Sequence, residues 1–415
     1  MTNVVNKCPY NKKTKFLNLN SIFFPIFATV NLNFRTMKKF WLAMASLVVM
    51  LGACTTTGDN NLTVSGLDPK NFETEVDSIP IQLYTLTNDK GMEVCITNFG
   101  GRVVSVMVPD RDGKMQDVVL GFDSIGDYLH VEGNNFGALI GRYGNRIEQG
   151  KFTLDGKEYQ LPQNNYGHSL HGGPEGFYAL PWKVESADKQ HLVLTHRSPD
   201  GFAGYPGNLD VTVTYTLTDG NALTIDYTAT TDQPTIVNLT NHSYFNLNGD
   251  ASRDALDLEV MIAADSITPI DSTFMTHGTM MAVEGTPFDF RQAKPVGRDI
   301  NADDEQLSNG HGYDHNYVLN TGCDISKVSA SIYSPMTGIM MEVYTNEPGL
   351  QYYVGNFLDG TVKGKRGVAY PLRSAICMET QHYPNSPNQP EYPSTVLRPG
   401  ETYQSQCIYK FSVRK

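Results

Sequence analysis

The sequence predicts an all-β fold, a large antiparallel β-sandwich, and three features of the 415-residue chain predict it. From Ile81 onward, apolar and polar residues alternate with a period of two. The alternating runs are separated by Asp-Gly and other glycine-rich turns, in a chain with 37 Gly and 22 Pro. No long stretch with the 3.6-residue period of a helix interrupts them. A period of two sends successive side chains to opposite faces, so one face can be buried while the other meets water.

Each element follows in chain order. "GMEVCITNFGGRVVSVMVPDRDGK" (91–114) holds two alternating runs and ends on an Asp-Arg-Asp-Gly turn. "GKFTLDGKEYQL" (150–161) reads as a hairpin about Asp155-Gly156. The clearest hairpin is "DVTVTYTLTDGNALTIDYTAT" (210–230). There Val211, Val213, Tyr215 and Leu217 alternate with Thr, "DGN" turns the chain, and Leu223, Ile225, Tyr227 and Ala229 resume the alternation. No repeat of the propeller or solenoid kind is present, so residues 79–415 are expected to form one domain.

Composition excludes several function classes. The net charge is −12 and the pI about 5.3, so the chain lacks the basic face that nucleic acid requires. "KGKR" (363–366) is too short to change that and reads as a solvated turn. No GxGxxG or P-loop follows a strand, and no GxSxG elbow is present. Cys8, Cys54, Cys95, Cys323, Cys377 and Cys407 form no tight metal-binding spacing. The four in the body read as small core residues.

The N-terminal part reads as a targeting segment. In "MKKFWLAMASLVVMLGAC" (37–54), two lysines precede an apolar run too short to span a membrane as a helix. The run ends in "LGAC", which resembles the lipobox of bacterial lipoproteins, with Cys54 as the lipidated residue; an ordinary signal peptide or a short anchor helix is the alternative. Residues 1–36 read as an upstream extension with Met37 as the true start. Residues 55–78 read as a polar tether. The segment implies a lipid-anchored envelope protein, on the periplasmic face of an outer membrane, touching membrane through its anchor only; the tether suits a monomer.

Polar residues interrupt the strands at five places. "IGRYGNRIEQG" carries Asn145 and Arg146, "HSLHGGPEGF" carries His168 and His171, and "IVNLTNHSYFNL" carries His242. "GYDHNYVL" carries Asp314, and "AICMETQ" (375–381) sets Glu379 in an apolar, strand-like run. Ionised carboxylates are rarely buried unless something pairs with them or uses them. In a strand, Glu379 and Gln381 share a face, as do His242 and Tyr244. Taken singly, each has a structural alternative: His242 as a bonded core histidine, His171-Gly-Gly as a turn, Asp314 as a loop cap, Arg146 paired with Glu148. His311 and His315 sit four apart, but in a glycine-rich stretch that makes a poor helix and a poor metal site.

With these strings the chain resembles the aldose 1-epimerase (galactose mutarotase) family. "GRYGNRI", "SLHGG", "DGFAGYPGNL", "NHSYFNL", "GTPFDFR", "GYDHNYVL", "PGLQYYVGN", "CMETQHYPNSPN" and "PSTVLRPGE" occur in the family's order and cover nearly the whole body. The resemblance implies an open cleft for a free aldose such as galactose or glucose, and interconversion of its α and β anomers. It implies Glu379 as general base and His242 as general acid. His171, Arg146 and Asp314 would bind the sugar, with Asn145 and Gln351 as further hydroxyl contacts. Many members have Asn where His168 stands, so His168 carries no implied role. The ring-opening chemistry requires no cofactor. Some bacterial members of the family are described with Ca²⁺, so a calcium ion is a separate expectation, with no ligands assigned. Two alternatives to mutarotation are a non-catalytic carbohydrate-binding lipoprotein, which needs no acid/base pair, and a hexose-phosphate epimerase, which needs an extra cationic cluster. A glycoside hydrolase accessory sandwich would call for two carboxylates about one bond.

Overall fold

A computed structural model describes residues 62–130 and 135–414. The targeting segment with Cys54, the upstream extension and residues 55–61 of the expected tether lie outside the described residues. Residues Asp59–Lys415 form one compact unit.

Two antiparallel sheets form the sandwich, with only two short helices among the described residues. The larger sheet has nine strands. At its centre the predicted hairpin, Leu209–Leu217 and Ala222–Thr231, pairs onward to Tyr403–Val413 and Ile339–Thr345. Its alternation is as expected, with Leu209, Val211, Val213, Tyr215 and Leu217 buried and the residues between them more exposed. The second sheet has six strands. Four are used below: β1 (Ala264–Thr268), β2 (Asp314–Leu319), β3 (Gly349–Tyr353) and β4 (Ile376–Gln381). Even-numbered residues of β3 and β4, such as Leu350, Tyr352, Ile376 and Met378, enter the main core with Val213, Met341 and Phe411 of the larger sheet. The Tyr409 hydroxyl crosses between the layers and donates to the Met378 carbonyl at 2.9 Å. This burial drives the fold and leaves odd-numbered residues of β3 and β4 to face away from it.

The strands at Glu93–Thr97 and Arg102–Pro109 depart from the one-wet-face expectation, because all of their residues but Pro109 are buried. Val94, Ile96, Val103 and Val106 join the main core. Cys95 and Val104, on the opposite face, join a second core with Leu67, Phe72 and Ile81. This corrects the tether reading: residues 62–78 are part of the fold. A short 3₁₀ turn, Pro69–Phe72, starts from Asp68, whose side chain accepts from the Lys70 amide. It places Phe72 at zero exposure. The hairpin Thr74–Val76/Ile79–Ile81 follows. The buried Glu93 carboxylate accepts from the amides of Val64 and Ser65.

Two smaller expectations also change. Lys365 of "KGKR" is buried: its ammonium donates to Asp117 at 2.6 Å and to the Val104 carbonyl at 2.7 Å. Cys95, Cys377 and Cys407 are buried thiols as expected, but Cys323 is exposed in a turn.

Candidate active site

The cleft lies on the face of the six-stranded sheet turned away from the main core. β4 presents Glu379 there, with Cys377 and Gln381 before and after it on the same face. The short strand Thr240–His242 pairs with Ala138–Ile140, and the next strand, Tyr244–Phe245, pairs with β4. That path carries His242 alongside Glu379. The His242 ring stacks on Tyr244, its neighbour on the shared face, with centroids 4.9 Å apart.

His242 Nε2 lies 3.6 Å from Glu379 Oε1, and both side chains are almost fully buried. The gap exceeds a hydrogen bond, so one oxygen of a bound molecule can touch both groups. His171 completes a trio whose ligand-type atoms all lie within 4.8 Å of one another. Its ring meets that of His242 edge-on at 5.3 Å. His171 follows the strand Ser169–Leu170, which pairs with Arg146–Ile147. Its Nδ1 accepts from the Asn145 amide at 3.2 Å. In the neutral ring Nε2 therefore carries the proton and is a donor toward the cleft. The glycine after it is required: a Cβ on Gly172, at φ +85°, would overlap the Gly141 carbonyl oxygen.

Arg146 lies in the cleft, not on the surface beside Glu148. Its Nε donates to Asn165 at 3.1 Å, and its guanidinium sits 4.7 Å over the Phe274 ring. Asp314 accepts from Gln351 Nε2 at 2.7 Å. Asn145 adopts φ +59° and accepts from the Arg146 amide at 2.8 Å. Six of the seven expected residues thus line the cleft: Glu379, His242, His171, Arg146, Asp314 and Asn145. Gln351 does not. It stands behind Asp314 and orients it.

Asn135, Asn165, Leu170, Tyr244, Tyr353 and Phe357 also line the cleft and were not singled out from the sequence. Tyr244 and Tyr353 were reachable, since each sits two residues from a chosen side chain on the same strand face. Asn135 and Asn165 come from loops without periodic signal. His168 stands outside the lining; its Nδ1 accepts from the Gln149 amide and its Nε2 meets Thr273. His315 is a core histidine bonded to Gln306, at zero exposure.

Burial dominates the electrostatics. It raises the Glu379 carboxyl well above the ordinary carboxylate range; Asp314 adds to the rise and Arg146 opposes it. Burial pushes the His242 imidazole down to about 4, against the pull of its own backbone carbonyl. Burial, then His242 and Arg146, hold His171 well below its ordinary value. Asp314 is raised by burial, with Arg146 and Gln351 opposing. The sequence reading assumed an ionised Glu379 and a protonated His242. The shifts run the other way, toward the carboxylic acid and the neutral imidazole. Both arrangements hold one proton, so a single transfer interconverts them.

The trio of His171, His242 and Glu379 does not fit calcium. Ca²⁺ takes six to eight oxygen ligands. The trio offers two ring nitrogens and one carboxylate, and the His171 nitrogen that faces the cleft holds its proton.

A family profile described as aldose 1-epimerase matches residues 82–410. A galactose mutarotase of Rattus norvegicus is 45% identical over 333 residues, covering 80% of this chain and 94% of its own. An aldose 1-epimerase of Escherichia coli is 40% identical over 338 residues, covering 81% and 96%. Among solved structures, an aldose epimerase homologue from C. elegans superposes with a TM-score of 0.75 at 32% identity, covering 81% of this chain and all of its own. A galactose 1-epimerase from Lactobacillus acidophilus gives 0.72 at 32% identity, covering 83% and 98%.

Proposed function

Because the chain belongs to the aldose 1-epimerase family, we propose that it interconverts the α and β anomers of a free aldose, with Glu379 and His242 exchanging the two protons that ring opening requires. The observation that carries this reading is the buried pair itself, 3.6 Å apart in a cleft shared with Arg146, Asp314 and His171.

The chemistry balances without an external reagent. Glu379, as carboxylate, accepts the proton of the C1 hydroxyl. His242, as imidazolium, donates a proton to the ring oxygen. The bond from C1 to the ring oxygen breaks and an open-chain aldehyde forms. Rotation about C1–C2 presents the other carbonyl face, the ring oxygen attacks it, and both protons return. The reactive pair forms from the resting pair by moving one proton from Glu379 to His242. Arg146 favours that move, because it stabilises the Glu379 carboxylate. His171, as a neutral donor, polarises the ring oxygen, while Asp314 and Arg146 take sugar hydroxyls. Among the described residues lining the cleft, Arg146 is the one fixed cation, which suits a neutral sugar better than a sugar phosphate.

Polarimetry with freshly dissolved α-galactose, α-glucose and a panel of other aldoses tests the reading. Accelerated decay of rotation for at least one aldose is expected. Binding without acceleration would favour the non-catalytic carbohydrate-binding alternative.

Residues 37–54 support a second part of the proposal, a lipid anchor at Cys54 on a monomeric, periplasmic protein. Mass spectrometry of the mature N-terminus tests it: an acylated Cys54 is expected, and an unmodified peptide running through residues 37–54 overturns it.

A further inference from the structure

The four labelled strands carry one transverse row of polar side chains across the cleft face. The register places Thr268 opposite Asn316, Asn316 opposite Gln351, and Gln351 opposite Glu379. Directly opposed residues in antiparallel pairs share a face, with Cβ atoms about 4.5–5.5 Å apart. A continuous polar line therefore runs from the carboxylate into the protein, away from the cleft. Exposures along it are 0% for Thr268, 1% for Asn316, 3% for Gln351 and 2% for Glu379.

Every member has a polar atom that no protein group meets: Thr268 Oγ1, both amide atoms of Asn316, Gln351 Oε1 and Glu379 Oε2. Gln381, next after Glu379 on the same face, is also fully buried with both amide atoms unmet. Between Asn316 and Gln381 the sheet carries Gly349, paired with Gln381. A Cβ there would lie 2.5 Å from Asn316 Oδ1 and 3.0 Å from the Gln381 carbonyl. The missing side chain lets the Asn316 amide lie against the backbone of the strand that joins it to Gln381. Buried amides are almost always satisfied, and leaving one unmet is costly. Two of them in a row of unmet polar atoms that ends on a carboxylate suit small polar guests with two to four partners each, which describes internal water.

We infer that Asn316 and Gln381 are positioning residues for the reaction: they hold buried water against Glu379 Oε2, on the side away from the sugar, and so stabilise the carboxylate that accepts the C1 proton. The inference rests on the reading of Glu379 as base. The charged and titratable groups facing that carboxyl are His242 and His171, Arg146, and Asp314 from β2. Tyr244, Tyr353, Cys377 and, from the larger sheet, Tyr409 complete its surroundings. Of these, Arg146 is the fixed positive charge favouring ionisation; water donating to Oε2 acts in the same direction.

Asn316→Leu and Gln381→Leu test this. The profile of kcat/KM against pH for α-galactose is followed by polarimetry. The basic limb is expected to move up by about one pH unit and the plateau to fall about tenfold, while the acid limb and the alkaline end of the profile stay near those of the wild type. An unmoved basic limb, or an equal loss that persists through the alkaline end of the profile, overturns the inference. A high-resolution crystal structure of the wild type decides the matter if both variants fail to fold. Ordered water within hydrogen-bond distance of both Glu379 Oε2 and Asn316 is expected, and a dry row overturns it. A wild type without mutarotase activity defeats the proposed function, whereas the crystallographic result bears on the water row alone.

Discussion

Replacing Glu379 by Gln separates catalysis from stability. The substitution keeps shape and removes the one carboxylate in the trio with His171 and His242. Asp314 is held by Gln351 and cannot substitute without breaking that bond. A positioned base contributes about 10²- to 10⁴-fold, so kcat is expected to fall by that factor, about 3 to 5 kcal/mol in barrier height. Stability should move the opposite way. The folded protein holds the Glu379 carboxyl well above its ordinary value. Its contribution to stability is full below the ordinary carboxylate range and is lost as pH rises through the raised value. In that window the wild type loses about 1.4 kcal/mol per pH unit that E379Q does not lose. His242, depressed to about 4, gives the reverse slope, with stability lost as pH falls from about 6.5 toward 4. It does so in both proteins and cancels in the difference. Urea unfolding at several pH values, beside polarimetry corrected for spontaneous mutarotation, reads both effects. Near-wild-type turnover in E379Q, or a stability difference independent of pH, would refute the reasoning.

His242→Asn should lower kcat by a similar factor, about 10²- to 10⁴-fold. If polarimetry shows an unaffected rate, the donor is His171. Arg146→Met should raise KM for galactose and move the basic limb of kcat/KM to higher pH, because it removes the cation that opposes the rise at Glu379; an unmoved basic limb would take Arg146 out of that role. Phe72→Ala should cost about 3–5 kcal/mol in urea unfolding, the usual result for a fully buried aromatic. A loss below about 1 kcal/mol would mean that residues 62–78 lie outside the cooperative core.

The sequence by itself determined the strand-rich sandwich, the hairpins at 151–160 and 209–231, and six of the polar side chains that gather in the cleft. Period-two alternation and Asp-Gly turns are local signals, and the family strings fall on the residues that line the site. It could not reveal that both faces of 93–109 are covered, because the covering segment, 62–81, is mostly polar and lies close by in the chain without a strong period. Nor could it place Gln351 behind Asp314, or align Thr268, Asn316, Gln351 and Glu379 in one row. Those are matters of register between strands up to 111 residues apart in the chain. The directions in which the central pair is shifted likewise come from the tertiary structure. Burial is the largest cause of both shifts, and no spacing of residues along the chain encodes how completely water is excluded.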